Sequence, residues 1–173
     1  MIKEASHTIR IIQPYVQNID ELEDVLVEAM VSRGVKVEIV SARHRDQPVY
    51  KNFLNSELFQ RLKSKGAVIY EEPFKYLHMK VIEVDDGAVM TLGSFNQDHW
   101  SFYCNNEANL YLRNANGNAF KAHREFMRVF NSLKRESRLV DFEETYTASG
   151  YIEITFWKLV LGFSHWIANN RKQ

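Results

Sequence analysis

The sequence predicts an α/β fold: a mixed, largely parallel sheet flanked by helices. Three observations lead there. Short β-branched or apolar runs alternate with segments whose apolar residues recur at helical spacing. Glycines stand where those helical segments stop. The opening order strand–helix–strand–helix–strand calls for parallel strands joined by right-handed crossovers.

Each element has its own signal. Thr8 to Ile12 alternates and is β-branched, a strand. Asn18 with Glu21 three residues on resembles a capping box, and Leu22, Val25, Leu26, Ala29 and Met30 then fall on one helical face. Gly34 ends that helix in a left-handed conformation. Val35 to Val40 is a second strand, with Ser41-Ala42-Arg43-His44-Arg45-Asp46-Gln47 as its exit loop. Phe53, Leu54, Leu58, Phe59 and Leu62 make a second helix stopped by Gly66, and Ala67 to Tyr70 a third strand. A hairpin turning at Asp85-Asp86-Gly87 follows. Ala108 to Leu112 is one more strand, and Phe120, His123, Met127, Phe130 and Leu133 mark a late helix. Residues 1–140 thus read as one lobe. Residues 141–173 read as a polar linker and an apolar, aromatic C-terminal helix.

Bulk properties narrow the function. Lys plus Arg and Asp plus Glu balance at 22 each, so no broad basic face for nucleic acid is expected, although a local patch fits inside a neutral total. The single cysteine, Cys104, rules out an intrachain disulfide framework and a cysteine-built zinc site. The start of the chain has no long apolar run, so no signal peptide is visible.

The chemistry concentrates on the hairpin. His78 and Lys80 lie two apart and share one face of its first strand. With Asp85 they spell His-x-Lys-x-x-x-x-Asp, and Gly93-Ser94-Phe95-Asn96 follows on the partner strand. Glu107 comes later, in Asn105-Asn106-Glu107-Ala108-Asn109. A lone His-x-Lys is weak evidence, since most such residues simply sit on half-exposed strands. The eight-residue pattern arises by chance in a few per cent of chains, and Gly-Ser-x-Asn at hairpin distance makes coincidence improbable.

On these motifs the chain resembles the phospholipase D superfamily, whose members cut or exchange phosphodiester bonds. The resemblance runs from Thr8 to Leu133 and implies a phospholipase D-like lobe. It is most similar to the second half of bacterial-type cardiolipin synthases, through Gln13-Pro14-Tyr15-Val16, the strand after Arg33-Gly34 and the run from Gly93 to Leu112. Seven residues separate Asp85 from Gly93 where the family commonly has six, which leaves both Asp85 and Asp86 open for the motif aspartate. The implied chemistry is a phosphatidyl transfer through a phosphohistidine on His78. Lys80, Ser94 and Asn96 would stabilise the phosphate oxygens. Glu107 would orient the His78 ring, and Asp85 would hold the hairpin or Lys80. No metal or other cofactor is implied.

The family mechanism uses two such motifs, and this chain carries one. The second lobe is expected from a missing N-terminal half of the same protein or from a homodimer mate. The implied partners are a phospholipid substrate and a membrane surface, with peripheral membrane association. The segment Phe156 to Ile167 suits an interfacial helix or, equally, a terminal helix packed on the core. Arg43, His44 and Arg45 form the one tight basic cluster, with Arg43 and Arg45 fit for a lipid phosphate, for nucleic acid or for a plain solvated loop. Tyr15 and Trp100 are placed at the pocket mouth by position alone. The alternatives are a phospholipase D-type hydrolase or nuclease acting as a homodimer, or an inactive phosphate-binding domain. Neutral charge disfavours nucleic acid.

Overall fold

The computed structural model describes residues 1–17, 19–42, 58–72, 77–114 and 121–140, together with Leu159. The elements in chain order are β1 (Thr8–Gln13), α1 (Asp20–Arg33), β2 (Lys36–Ala42), α2 (helical over residues 58–64), β3 (Val68–Glu72), β4 (Val81–Val84), β5 (Val89–Gly93), α3 (His99–Tyr103), β6 (Asn109–Arg113), α4 (Lys121–Glu136) and β7 (Arg138–Leu139). A one-turn 3-10 helix, Ile2–Glu4, precedes β1.

The strands form one seven-stranded sheet in the order β6-β5-β4-β1-β2-β3-β7. Pairing is parallel between β1 and β2 and between β2 and β3, and antiparallel elsewhere. The sheet is therefore mixed, and its parallel part is confined to the β-α-β-α-β start. The hairpin β4–β5 joins β1 from the other side, and its tight turn makes β4 and β5 antiparallel neighbours.

Helices cover both faces. Ile9, Ile11, Val37, Ile39, Ile69 and Val84 meet α1 through Leu22, Leu26 and Ala29 and α2 through Leu58, Phe59 and Leu62. On the other face Ile12, Val40, Val81 and Met90 meet Phe126, Phe130 and Leu133 of α4. This three-layer packing follows from strands whose alternate residues are apolar on both sides.

The α1 boundary differs from the expected capping box. The N-cap is Ile19, whose side chain makes no cap. Its carbonyl instead accepts from Leu22 and Glu23 N–H, and Asp20, Glu21 and Glu23 complement the positive end of the helix. Asn18 lies outside the described residues. At the other end Gly34 takes φ 67°, as expected. Phe53, Leu54 and Phe120, and all but Leu159 of the C-terminal segment, also lie outside the described residues. No described helix is long and apolar enough to cross a membrane.

A row of charge runs beneath α4. Arg10 Nη1 donates to Glu83 and to Asp86, each at 2.9 Å, and Arg10 Nε lies 3.4 Å from Glu38. Glu38 also takes Lys134 of α4. Glu83 is fully buried, with His123 Nε2 at 3.7 Å. Burial pushes its carboxyl up, and Arg10, the Gly87 N–H and His123 oppose that without reversing it.

Candidate active site

The hairpin β4–β5 places the motif residues at one end of the sheet, where β1 and β2 also finish. His78 is exposed and Lys80, two residues on, is 8% exposed. The lysine turns back so that Nζ donates to the His78 carbonyl at 3.0 Å. Burial lowers its pKa from the ordinary value, and the charges of Glu107 and Asp98 oppose that fall. Tyr15, just past the end of β1, meets the His78 ring edge-on with centroids 6.5 Å apart.

Across the hairpin, Ser94 Oγ donates to Glu107 Oε2 at 2.5 Å and accepts from the Ala108 N–H at 3.0 Å. Ser94 N–H donates to the Ala108 carbonyl at 3.0 Å, so the serine is stitched to the entry of β6. This closeness explains Gly93. A Cβ there would collide with the Ala108 carbonyl and the Asn109 side chain, so no larger residue lets β6 approach. Asn96 N–H donates to Ser101 Oγ at 3.2 Å, and its Oδ1 is buried with no hydrogen-bond partner.

Glu107 is the hub of this side. It accepts from Ser94, from Ser101 Oγ at 2.7 Å and from Asn105 Nδ2 at 3.4 Å. The hydroxyls of Ser94 and Ser101, in that order, hold its carboxyl below the usual range, and Lys80 adds to the effect. Its donors are these three groups rather than the His78 ring, so in this geometry Glu107 orients Ser94 and faces Lys80. Ser101 escaped sequence reading. Its signal was Asp98 three residues earlier, the cap of α3, whose Oδ1 accepts the Ser101 N–H at 2.8 Å.

Asp85 is at the other end of the hairpin. Its carboxylate accepts from Ser6 N–H at 2.9 Å, Ser6 Oγ at 2.9 Å, His7 N–H at 2.7 Å and Thr8 N–H at 3.0 Å. Burial alone would raise the carboxyl, and the N–H groups of Thr8, His7 and Ser6 outweigh it and hold it low. Asp85 thus pins the start of β1 to the hairpin, and Asp86 binds Arg10. Trp100 projects from α3 at 57% exposure, and Arg43 and Arg45 lie outside the described residues.

An exposed imidazole, a tucked ammonium and a hydroxyl held by a carboxylate form a site for an anion and a nucleophile, on a mixed three-layer α/β lobe. Comparison with known proteins assigns the class. Residues 1–134 match the family model described as "Cardiolipin synthase, PLD-like domain", and the chain belongs to that family. It is 29% identical over 144 residues to the cardiolipin synthase of Geobacillus kaustophilus, covering 83% of this chain and 27% of that one. It is 31% identical over 112 residues to the cardiolipin synthase of Geobacillus thermodenitrificans, covering 65% of this chain and 22% of that one. The chain therefore spans about a quarter of the length of these relatives. Among solved structures, Nuc from Salmonella typhimurium, a phospholipase D family member, superposes with a TM-score of 0.68 at 22% identity, over 80% of this chain and 85% of that one, and so shares the fold.

Proposed function

We propose that this chain is one lobe of a phosphatidyltransferase of the cardiolipin synthase type, acting on phospholipid at a membrane surface. The observation that carries this reading is the pairing of the exposed His78 ring with the buried Lys80 ammonium, which keeps two of its three N–H donors beyond the His78 carbonyl bond. The family membership and the identity to cardiolipin synthases support the substrate class.

The chemistry balances as two displacements. A ring nitrogen of neutral His78 attacks phosphorus, an N–P bond forms and the P–O bond to the departing alcohol breaks. That alcohol takes a proton from a general acid on a second lobe. The acceptor hydroxyl then gives its proton to the same group and attacks phosphorus, and the N–P bond breaks. Lys80, Asn96 and Ser94 act on the non-bridging oxygens, with Glu107 fixing the Ser94 hydroxyl. Asp85 contributes by holding the hairpin to β1. The second lobe comes from another part of the same protein or from a second copy of this one. Tyr15 beside His78 shapes the approach, and Trp100, Arg43 and Arg45 are assigned to the headgroup and its surface.

The test is to incubate the protein with vesicles of fluorescent phosphatidylglycerol and follow acid-labile label on the chain together with diphosphatidylglycerol product. Both are expected, and both vanish in His78→Ala. Absence of label and product in the intact protein, with cleavage of single-stranded nucleic acid instead, replaces this reading with a nuclease.

A further inference from the structure

Gln13, the last residue of β1, is 2% exposed. Ile12 pairs with Val81 in the last rung of the antiparallel β1–β4 ladder. Gln13 directly follows Ile12 and Lys80 directly precedes Val81, so both sit at the open end of that ladder, one step beyond its last pair. On its other side Gln13 pairs with Ser41 of β2. Gln13 and Ser41 share the sheet face of Ile9, Ile11 and Ile39, the face covered by α1 and α2, and Lys80 leads into β4, two residues before Ile82, which packs on that same layer. A buried polar row, Ser41, Gln13, Lys80, therefore closes that apolar layer just below the candidate site.

The row is under-satisfied: Ser41 Oγ is buried without a hydrogen-bond partner, and so is one atom of Gln13. Gln13 Nε2 donates to the Phe95 carbonyl at 3.3 Å, inside the Gly-Ser-Phe-Asn segment. That bond commits the amide, leaving Oε1 as a free acceptor, and Oε1 is buried with no hydrogen-bond partner. Its neighbour Lys80 has donors to spare. A buried acceptor without a donor costs free energy, so one retained beside an under-used ammonium points to use in another arrangement of the site.

We infer that Gln13 is a positioning residue for Lys80: its Oε1 is a second seat for the ammonium, and its Nε2 ties β1 to the Gly-Ser segment. The inference rests on the phosphate-binding role proposed for Lys80. With one N–H on Gln13, Nζ can turn from the His78 carbonyl and present its remaining donors to phosphate oxygens. A neutral acceptor holds the cation without cancelling its charge, which a carboxylate in that place would do. The charges that already face Lys80 are Glu107, at the entry of β6, and Asp98, at the cap of α3, with the His78 ring two residues before it.

The experiment follows Lys80 itself, by NMR of side-chain-labelled lysine in the whole protein as pH rises, in wild type, Gln13→Met and Gln13→Glu. Methionine keeps the volume and removes the acceptor, and the Lys80 midpoint is expected to fall by about 0.5–1 pH unit. Glutamate adds a charge, and the midpoint is expected to rise by about 1–2 units. Lipid transfer, measured in parallel, falls about tenfold in Gln13→Glu as the cation is neutralised. Lys80 midpoints that coincide in all three proteins overturn the inference whatever the transfer rates. If Gln13→Met does not fold, the direction of the Gln13→Glu shift decides. Shifts in the expected directions in a protein that transfers no phosphatidyl group uphold the seat for Lys80 and defeat the catalytic reading instead.

Discussion

The two ends of the β4–β5 hairpin treat charge in opposite ways. At the turn end, Asp85 is saturated by N–H and O–H donors of Ser6, His7 and Thr8, and Asp86 by Arg10. At the open end, Lys80 is nearly buried with one hydrogen bond, and the Asn96 and Gln13 oxygens are buried with none. Folding rewards the first arrangement and tolerates the second at a cost. The difference separates the part of the hairpin that builds the lobe from the part proposed above to meet an anion.

That division is open to direct challenge. The largest expected effect is at His78: His78→Ala lowers phosphatidyl transfer by about 10³-fold or more, with the far-UV spectrum and melting temperature of wild type. Lys80→Met is expected to lower transfer by about 10²-fold in the same assay, with a melting temperature unchanged or raised, because a desolvated cation is replaced by an apolar chain of similar length. A clear drop in its melting temperature would place Lys80 with the structural end.

The turn end should show the reverse. Asp85→Asn is expected to cost about 1–3 kcal/mol in urea unfolding while transfer per folded molecule stays within twofold. Its pH signature has a definite sign. The folded carboxyl titrates below its unfolded value, so the stabilisation is complete above about pH 3.9 and is lost as pH falls through the lower, folded value. Asp85→Asn removes that part of the acid dependence. An Asp85→Asn protein of wild-type stability that transfers nothing would erase the contrast between the ends. Gly93→Ala lies between the two classes, expected to cost about 1–3 kcal/mol and to slow transfer by parting Ser94 from Glu107. Trp100→Ala is the smallest, within about 0.5 kcal/mol of wild-type stability, since its ring is mostly in solvent, and its effect would be confined to vesicle binding.

What the sequence disclosed follows the range of each interaction. Local signals held: the alternation of Thr8 to Ile12, the left-handed Gly34, and the turn at Asp85-Asp86-Gly87, where all three residues take positive φ. The motif spacing could not tell Asp85 from Asp86. Only the chain start, folded back over the turn, separates their partners. The five-residue α3 and two-residue β7 are too short to express a period, so they went unread, and Ser101 with them. The donors of Glu107 come from the residue just after β5, from α3 and from the loop before β6, a meeting that no spacing encodes. The parallel start was legible. The antiparallel half was less so, because its strands are joined by turns whose sense depends on where the hairpin docks.

The strand order carries a consequence for how the molecule breathes. β4 is hydrogen-bonded on both sides and abuts β1, the middle strand, whereas β6, among the described strands, has a neighbour on one side only. Amide exchange is then expected to be slowest at Val81–Val84 and fast along Asn109–Arg113. His78 and Lys80 are anchored to a segment that opens with the whole fold, while Glu107 stands at the entrance of one that frays first. Warming would detach the Glu107 arm before His78 and Lys80 lose their footing, so the transfer proposed for this site would fade ahead of the global transition.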